Sequence, residues 1–274
     1  MSMSRDDILA NPLNRRYDYV MYEPAFVDFY DNTDFANHGY WDEHTKTASQ
    51  ACQNLVEKLL EFIPRPQGRI LDVACGKGEP TRCLLKHYVP SQITAINISE
   101  KQLATARPKV PGADFRLMDA TALDFPADSF DAVICVEAAF HFNTRRDFLR
   151  EAIRVLKPGG YLLLADILAT REAERSRTFR HEANFLAGPD QYHRMMRDVG
   201  FSDVHIIDAT EPCWRNYFRY VTRLYHDRYL ARQITFERLQ EIMAVNYSQV
   251  PDLEYYLLVA GSKGPHRIES VALN

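Results

Sequence analysis

The sequence predicts a doubly wound α/β fold with seven strands in a mostly parallel sheet. Three observations carry that prediction. Short runs of β-branched and aliphatic residues are apolar along their whole length, as strands covered on both faces must be. Amphipathic stretches of helical period separate them. Glycine- and proline-rich turns fall at the joints. A sheet of this kind binds ligands beyond the carboxyl ends of its strands.

From Ala48 onward the alternation is regular. Ala51 to Phe62 carries Leu55, Leu59, Leu60 and Phe62 at helical spacing and is stopped by Pro64 and Pro66. Arg69 to Ala74 reads as the first strand. A glycine loop follows, and Pro80 suits the first turn of a helix through His87. Ile93 to Ile98 is the second strand. Ser99-Glu-Lys-Gln102 reads as a capping box opening a helix that ends before Pro108. Ala113 to Leu117 and Phe130 to Val136 are the third and fourth strands. Asn143 is placed to cap a helix running to Leu156, Lys157-Pro-Gly-Gly160 makes a turn, and Tyr161 to Leu168 is the fifth strand. Gln191 to Val199 reads as a helix, Val204 to Asp208 as the sixth strand and Tyr255 to Ala260 as the last.

The remaining segments do not alternate. Residues 1–47 read as an N-terminal lid, 48–168 as the core, and 169–190 and 212–249 as helical cap insertions. Residues 191–211 and 250–262 complete the core, and 263–274 form a loosely ordered tail, all within one domain. Against 37 Asp and Glu there are 33 Lys and Arg, a net charge of -4, which provides no basic face for nucleic acid. No apolar run reaches the ~20 residues that span a bilayer. The polar stretch from Met1 to Asn14 lacks the apolar region of an export signal. Five cysteines without paired spacing argue against a disulfide or metal framework and for a reducing compartment, hence the cytoplasm. The expected partner is a small molecule; a homo-oligomer stays open.

The loop after the first strand reads Leu71-Asp72-Val73-Ala74-Cys75-Gly76-Lys77-Gly78. A dinucleotide fingerprint would need its third glycine at Thr81, and the Asp72 carboxylate would repel a pyrophosphate. A nucleoside ligand carrying a cation suits the loop better. The carboxylate attracts the cation, and small residues let the backbone approach the ligand closely.

These eight residues resemble motif I of the class I S-adenosylmethionine (SAM)-dependent methyltransferases. Phe115 to Pro126, with Asp119, Ala120 and Leu123, resembles the family's G-D-A-x-x-L-P-F segment. Ser129 to Val133 and Leu156 to Gly160 match the next two signatures in order and spacing. The resemblance covers about residues 69 to 166 and implies a Rossmann-like sheet, SAM as cofactor and S-adenosylhomocysteine as product. By the resemblance, Asp72, Ala74, Gly76 and Gly78 would hold the methionine end. Ala74 stands where most members have glycine, so a negative φ is expected there. Asn97 stands where an acid usually holds the ribose, and Ile98 would pack on the adenine. Asp119 would accept from the adenine amino group, with the Ala120 N–H on the ring. Asp119 also reads as a loop residue capping its own turn. Gln102 reads either as the capping-box partner or as a neighbour of the ligand.

Val136-Glu137-Ala-Ala-Phe140-His141-Phe142 resembles the E-S-x-H-H segment of a natural-product subgroup. That subgroup is similar to the rebeccamycin sugar O-methyltransferase and the tocopherol methyltransferases. His141 matches the second histidine of the pair and Phe140 replaces the first. The resemblance implies that His141 is a general base or a lining residue, because imidazole titrates near neutral pH. Asp166, ending the fifth strand, would orient His141 or face the acceptor. Glu137 would offer SAM its backbone carbonyl, with its side chain bonded locally. Asn37-His-Gly-Tyr40-Trp41 resembles the H-F-G-Y-W element of the same subgroup, and Tyr22 and Tyr40 are expected against SAM or acceptor. Tyrosines concentrate in the lid and cap (Tyr17, Tyr22, Tyr40, Tyr217, Tyr220, Tyr225) and are expected to wall an acceptor pocket. Arg215, Arg219 and Arg223 form a helical stripe, either an anion-binding wall or a solvated face balanced by Glu211 and Asp227. The expected activity is methyl transfer to a small-molecule acceptor, with O-methylation of a secondary metabolite foremost. The alternatives are C- or N-methylation, a nicotinamide-dependent oxidoreductase and a SAM-binding scaffold without transfer. No spacing calls for a metal.

Overall fold

The computed structural model describes residues 5–176 and 182–264. Seven strands form one sheet in the order β3-β2-β1-β4-β5-β7-β6. They are β1 (Ile70–Val73), β2 (Ile93–Asn97), β3 (Asp114–Leu117), β4 (Phe130–Val136), β5 (Leu156–Ala169), β6 (Phe201–Asp208) and β7 (Leu253–Lys263). β1 to β5 pair in parallel, and β7 runs antiparallel between β5 and β6. This is the expected doubly wound architecture.

Alternation along the central strands assigns the two faces, since successive side chains point to opposite sides of a sheet. Ile70, Ala132, Ile134, Leu163 and Ala165 pack on α4 (Ala48–Leu60) through Leu55, Val56 and Leu59. Leu71, Val73, Val133, Cys135, Leu162 and Leu164 pack with Phe148, Leu149 and Ala152 of α7 (Arg145–Val155) and Tyr192 and Met196 of α9 (Pro189–Val199). Thr47 caps α4, its hydroxyl accepting from Gln50 N at 3.3 Å. Ser99 caps α6 (Glu100–Ala106) in the same way, accepting from Gln102 N at 3.2 Å.

Several boundaries differ from expectation. The helix after motif I is a single turn, α5 (Glu79–Cys83), continued by a 3-10 turn over Leu84–Lys86. The cap of α7 is Thr144 rather than Asn143, with Thr144 Oγ1 accepting from Asp147 N at 3.3 Å. Lys157 to Gly160 belong to β5, because Gly159 at φ +79 lets the strand turn without ending its pairing. Lys263 closes β7 rather than opening a tail; the rest of the expected tail from residue 265 lies outside the described residues.

The additions around the sheet are helical, as expected. α1 (Arg5–Leu9), α2 (Pro12–Val20) and α3 (Pro24–Phe29) precede the core, and α8 (Arg171–Ser176) follows β5. α10 (Asn216–Leu230) and α11 (Phe236–Gln249) follow a π-helical turn at Thr210–Arg215. The N-terminal segment is tied to the strand ends. Asn14 Nδ2 donates to Ile98 O at 2.9 Å, and buried Lys77 donates to Met21 O at 2.6 Å and pairs with Asp34. Trp41 N donates to Pro212 O at 2.9 Å, and its ring stacks on Tyr220 at 4.3 Å, which joins this segment to the cap.

Candidate active site

A cavity opens at the carboxyl ends of β1, β2 and β4, the location this topology predicts. Ala74, Gly76, Ile96, Asn97, Ile98, Gln102, Met118, Asp119, Ala120, Glu137, Phe140, His141 and Phe142 line it from the core. Leu13, Asn14, Tyr17, Met21, Asn37 and His38 close it from the N-terminal side.

The turn after β1 is built for close approach. Ala74 has φ +60, Gly76 φ +56 and Gly78 φ +87. The negative φ expected at Ala74 is therefore corrected: alanine adopts the left-handed conformation, at about 1 kcal/mol. A Cβ on Gly76 would meet only Met21 Cε, at 3.5 Å, so the backbone there faces open cavity. Gly78 serves packing instead; a Cβ would fall 2.7 Å from Ala106 Cβ, and Gly78 does not line the cavity. Glu137, at the end of β4, is also left-handed, at φ +53. Ala74 and Glu137 thus place two left-handed non-glycine residues at adjacent strand ends, both in the cavity lining.

Asp72 is fully buried beneath the loop rather than in it. Its Oδ2 accepts from Thr81 Oγ1 at 2.6 Å, and burial pushes its pKa up to about 7. It bonds Thr81 at the start of α5 and, unlike Ala74 and Gly76, does not line the cavity. On β2, Asn97 and Ile98 line the cavity, with Met118 and Ala120 facing them as an apolar slot. Gln102 lines it too, and its side chain bonds Asn97 and Asp18 rather than the Ser99 backbone, so no capping box closes. Asp119 serves the turn through Oδ1, which accepts from Thr121 N at 2.7 Å and from Thr121 Oγ1 at 2.5 Å, while the residue still lines the cavity.

Two imidazoles face the cavity. Tyr17 OH lies 2.6 Å from His141 Nε2, which bonds the lid to the mouth of β4. His38 is held by Glu137, whose Oε2 lies 2.7 Å from His38 Nδ1 and whose Oε1 accepts from His38 N at 2.7 Å. Tyr256 OH donates to the same Oε1 at 2.5 Å. The Glu137 side chain is thus bonded to distant segments, not locally. The neighbouring carboxylate also raises the Tyr256 phenol above its ordinary value, second only to burial.

Asp166 does not meet His141. It is completely buried, and its Oδ2 accepts from Arg145 Nε at 2.7 Å and from Tyr192 OH at 2.9 Å. Arg145, also buried, donates further to Ile167 O at 2.6 Å and to Asn184 O. Asp166 is therefore corrected from an acceptor-facing residue to the anion of a buried ion pair.

The tyrosine expectation is corrected too. Among the described residues only Tyr17 of the tyrosines lines the cavity. Tyr22 bonds Lys101 O and Thr105 Oγ1 on α6 and lies under the Lys77 and Lys101 ammonium groups. Tyr40 donates its N–H to Ala51 O, and its ring lies under Lys58 at 5.5 Å. Tyr217, Tyr220 and Tyr225 pack between the lid and the cap. Arg215 and Arg219 pair with Glu211 on an exposed face, away from the cavity, in line with the solvated reading. Tyr17 lines the cavity as expected, whereas sequence reasoning missed Asn37 and His38 as cavity residues although both lie in the motif at residues 37–41. Among the described residues no cluster of His, Cys, Asp or Glu could hold a metal ion.

The lining fits a nucleoside with a cationic amino-acid tail. There is open backbone at Gly76, an apolar slot at Ile98, Met118 and Ala120, and amides at Asn97 and Gln102. Comparison with known proteins agrees. A family model described as a methyltransferase domain matches residues 71–164. The 27-O-demethylrifamycin SV methyltransferase of Amycolatopsis mediterranei is 31% identical, over 91% of this chain and 96% of that protein. The erythromycin 3''-O-methyltransferase of Saccharopolyspora erythraea is 27% identical, over 73% of this chain and 72% of that protein. Among solved structures, the [4+2]-cyclase SpnF superposes with a TM-score of 0.71 at 23% identity, covering 97% of this chain and 98% of that one, a likeness of fold.

The chain belongs to the class I SAM-dependent methyltransferases. It is an enzyme that uses SAM and acts on small molecules. That membership, with Thr81 in place of a third glycine, sets aside the nicotinamide-dependent reading.

Proposed function

We propose that this enzyme methylates a hydroxyl of a small, largely apolar secondary metabolite, with His141 as the general base. The observation that carries the reading is the Tyr17–His141 contact of 2.6 Å in a lining where Met21, Phe140 and Phe142 form an apolar wall segment, with the Phe140 ring 4.2 Å from the imidazole. Two relatives are named for methylating an oxygen, one on demethylrifamycin SV and one on erythromycin. The whole chain works as one domain in this reading, with residues 1–47 as its lid. Asn97, Ile98, Gln102, Asp119 and Ala120 hold the nucleoside, and Gly76 and the Glu137 backbone hold the methionine end, above the loop that Asp72 supports. The mildly acidic balance suits a metabolite rather than nucleic acid. Five free, buried cysteines suit a reducing cytoplasm.

When bound, SAM supplies an electrophilic methyl for in-line displacement, which demands alignment of the acceptor oxygen more than any other catalytic device. The apolar wall excludes water from that oxygen. Tyr17 OH donates to His141 Nε2, and in this reading the phenol oxygen is the group that meets the acceptor hydroxyl. The proton leaving the acceptor passes to the Tyr17 oxygen as the phenolic proton passes to Nε2.

A second reading is favoured by the carboxylate behind His38. With Nδ1–H donated to Glu137, the Nε2 of His38 is the basic nitrogen, an arrangement typical of an oriented base. Transfer of label from methyl-labelled SAM into a metabolite extract separates the two. His141→Ala is expected to lose transfer by about 10²- to 10⁴-fold while S-adenosylhomocysteine affinity is retained. Near-normal transfer by His141→Ala together with loss in His38→Ala would hand the base role to His38. A product carrying the methyl on carbon or nitrogen would refute O-methylation.

A further inference from the structure

Asn97 has both amide hydrogens engaged inside the protein. Its Nδ2 donates to Gln102 Oε1 at 2.9 Å and to Gly76 O at 3.3 Å, and its Oδ1 accepts from Ile98 N at 2.9 Å. Gln102 Nε2 donates to Asp18 Oδ1 at 2.8 Å, and the same oxygen accepts from Ser99 Oγ at 2.6 Å. An ionised carboxylate only accepts. Ile98 N–H and Gly76 O fix which end of Asn97 is the amine, and Asn97 turns Gln102 Oε1 towards itself. Asp18 holds the other end, Gln102 Nε2, so helix α2 anchors the Gln102 amide at the cavity edge.

What stays available is one lone pair of Asn97 Oδ1 and one N–H of Gln102 Nε2, an acceptor beside a donor. Both residues line the cavity and Asp18 does not. An acceptor–donor pair of this kind complements a vicinal diol, in which one hydroxyl donates and the other accepts. We propose that Asp18 is a positioning residue for the SAM ribose, holding the Gln102 amide N–H beside the Asn97 oxygen from the lid. The inference rests on the nucleoside placement proposed above. The charge missing from Asn97 sits one residue further out, on α2. Lid seating and ribose binding then reinforce each other, since both hold the Gln102 amide in one place.

Calorimetry tests this with S-adenosylhomocysteine and its 3′-deoxyribose analogue, on the parent protein, Asp18→Ala and Asp18→Asn. Thermal unfolding confirms that each variant is folded. The parent is expected to bind the deoxy analogue about tenfold more weakly, the size of one hydrogen bond of good geometry. Asp18→Ala is expected to lose a similar factor for S-adenosylhomocysteine and to show almost no further loss for the analogue. Asp18→Asn, which keeps an acceptor oxygen, falls between. Equal weakening of both ligands by Asp18→Ala would reduce Asp18 to a lid anchor and overturn the proposal. Unchanged affinity in both variants would overturn it as well. A parent protein that binds both ligands equally would overturn the nucleoside placement, and the proposal with it.

Discussion

Arg145 Nε lies 2.7 Å from Asp166 Oδ2, with both side chains sealed from solvent beneath β5. Every polar group around the pair is bonded in turn: Tyr192 OH to Asp166, Ile167 O and Asn184 O to Arg145. The pair joins α7 to β5, the segment before α9, and α9 itself. Desolvation disfavours the Arg145 charge, and the adjacent Asp166 overcomes it, leaving the guanidinium above its ordinary value.

Removing one partner strands a buried charge, which costs about 3–5 kcal/mol. Asp166→Asn is therefore expected to lose that order of stability in denaturant unfolding while its folded fraction binds S-adenosylhomocysteine as the parent does. A fully stable Asp166→Asn enzyme that has lost turnover would return Asp166 to catalysis.

Asp72 gives the protein a pH signature. Its folded pKa of about 7 lies above the unfolded carboxylate value, so the folded state holds the proton more tightly. The contribution of Asp72 to stability is complete below about pH 4 and declines as pH rises towards 7. Asp72→Asn lacks this slope. Its stability relative to the parent is expected to rise between pH 4 and pH 7, by about 4 kcal/mol, and to level off above. Parallel stability curves for the two proteins would show that Asp72 is ionised in the fold throughout.

Lys77 fastens the lid, with its ammonium group buried against Met21 O and Asp34. Lys77→Met keeps the stem and removes the charge. Amide exchange over α2 and α3 is expected to quicken, and S-adenosylhomocysteine binding to weaken about three- to tenfold, with exchange in β4 and β5 unchanged. Equal acceleration across the sheet would mean that Lys77 supports the global fold instead.

The sheet was legible because its strands are apolar on both faces, a pattern visible in any window of residues. The loop after β1 was legible because the glycines there answer a local backbone demand. Pairing between distant segments left no such trace. Asp166 lies in an apolar strand next to a suspected pocket, three residues before its end, and only the position of Arg145, 21 residues upstream, shows that it faces the opposite way. Glu137 meets His38 across 99 positions and Tyr256 across 119, distances at which composition carries no register. The tyrosines misled for a related reason. An aromatic surplus reports that helices are packed together, and it is silent on whether the interface between them is filled or hollow.

Among the described residues β7 is the last strand in the sequence yet internal in the sheet, with β5 on one side and β6 on the other. During synthesis β5 and β6 leave the ribosome well before the strand that must join them, and each exposes an unpaired edge until Lys263 has emerged. The parallel half of the sheet has its partners early, so the nucleoside side of the protein can take shape while the chain is still growing. The Tyr256 anchor of Glu137 arrives only with the final insertion. A chain stalled short of β7 would display two open strand edges, the feature that most readily recruits chaperones or aggregates.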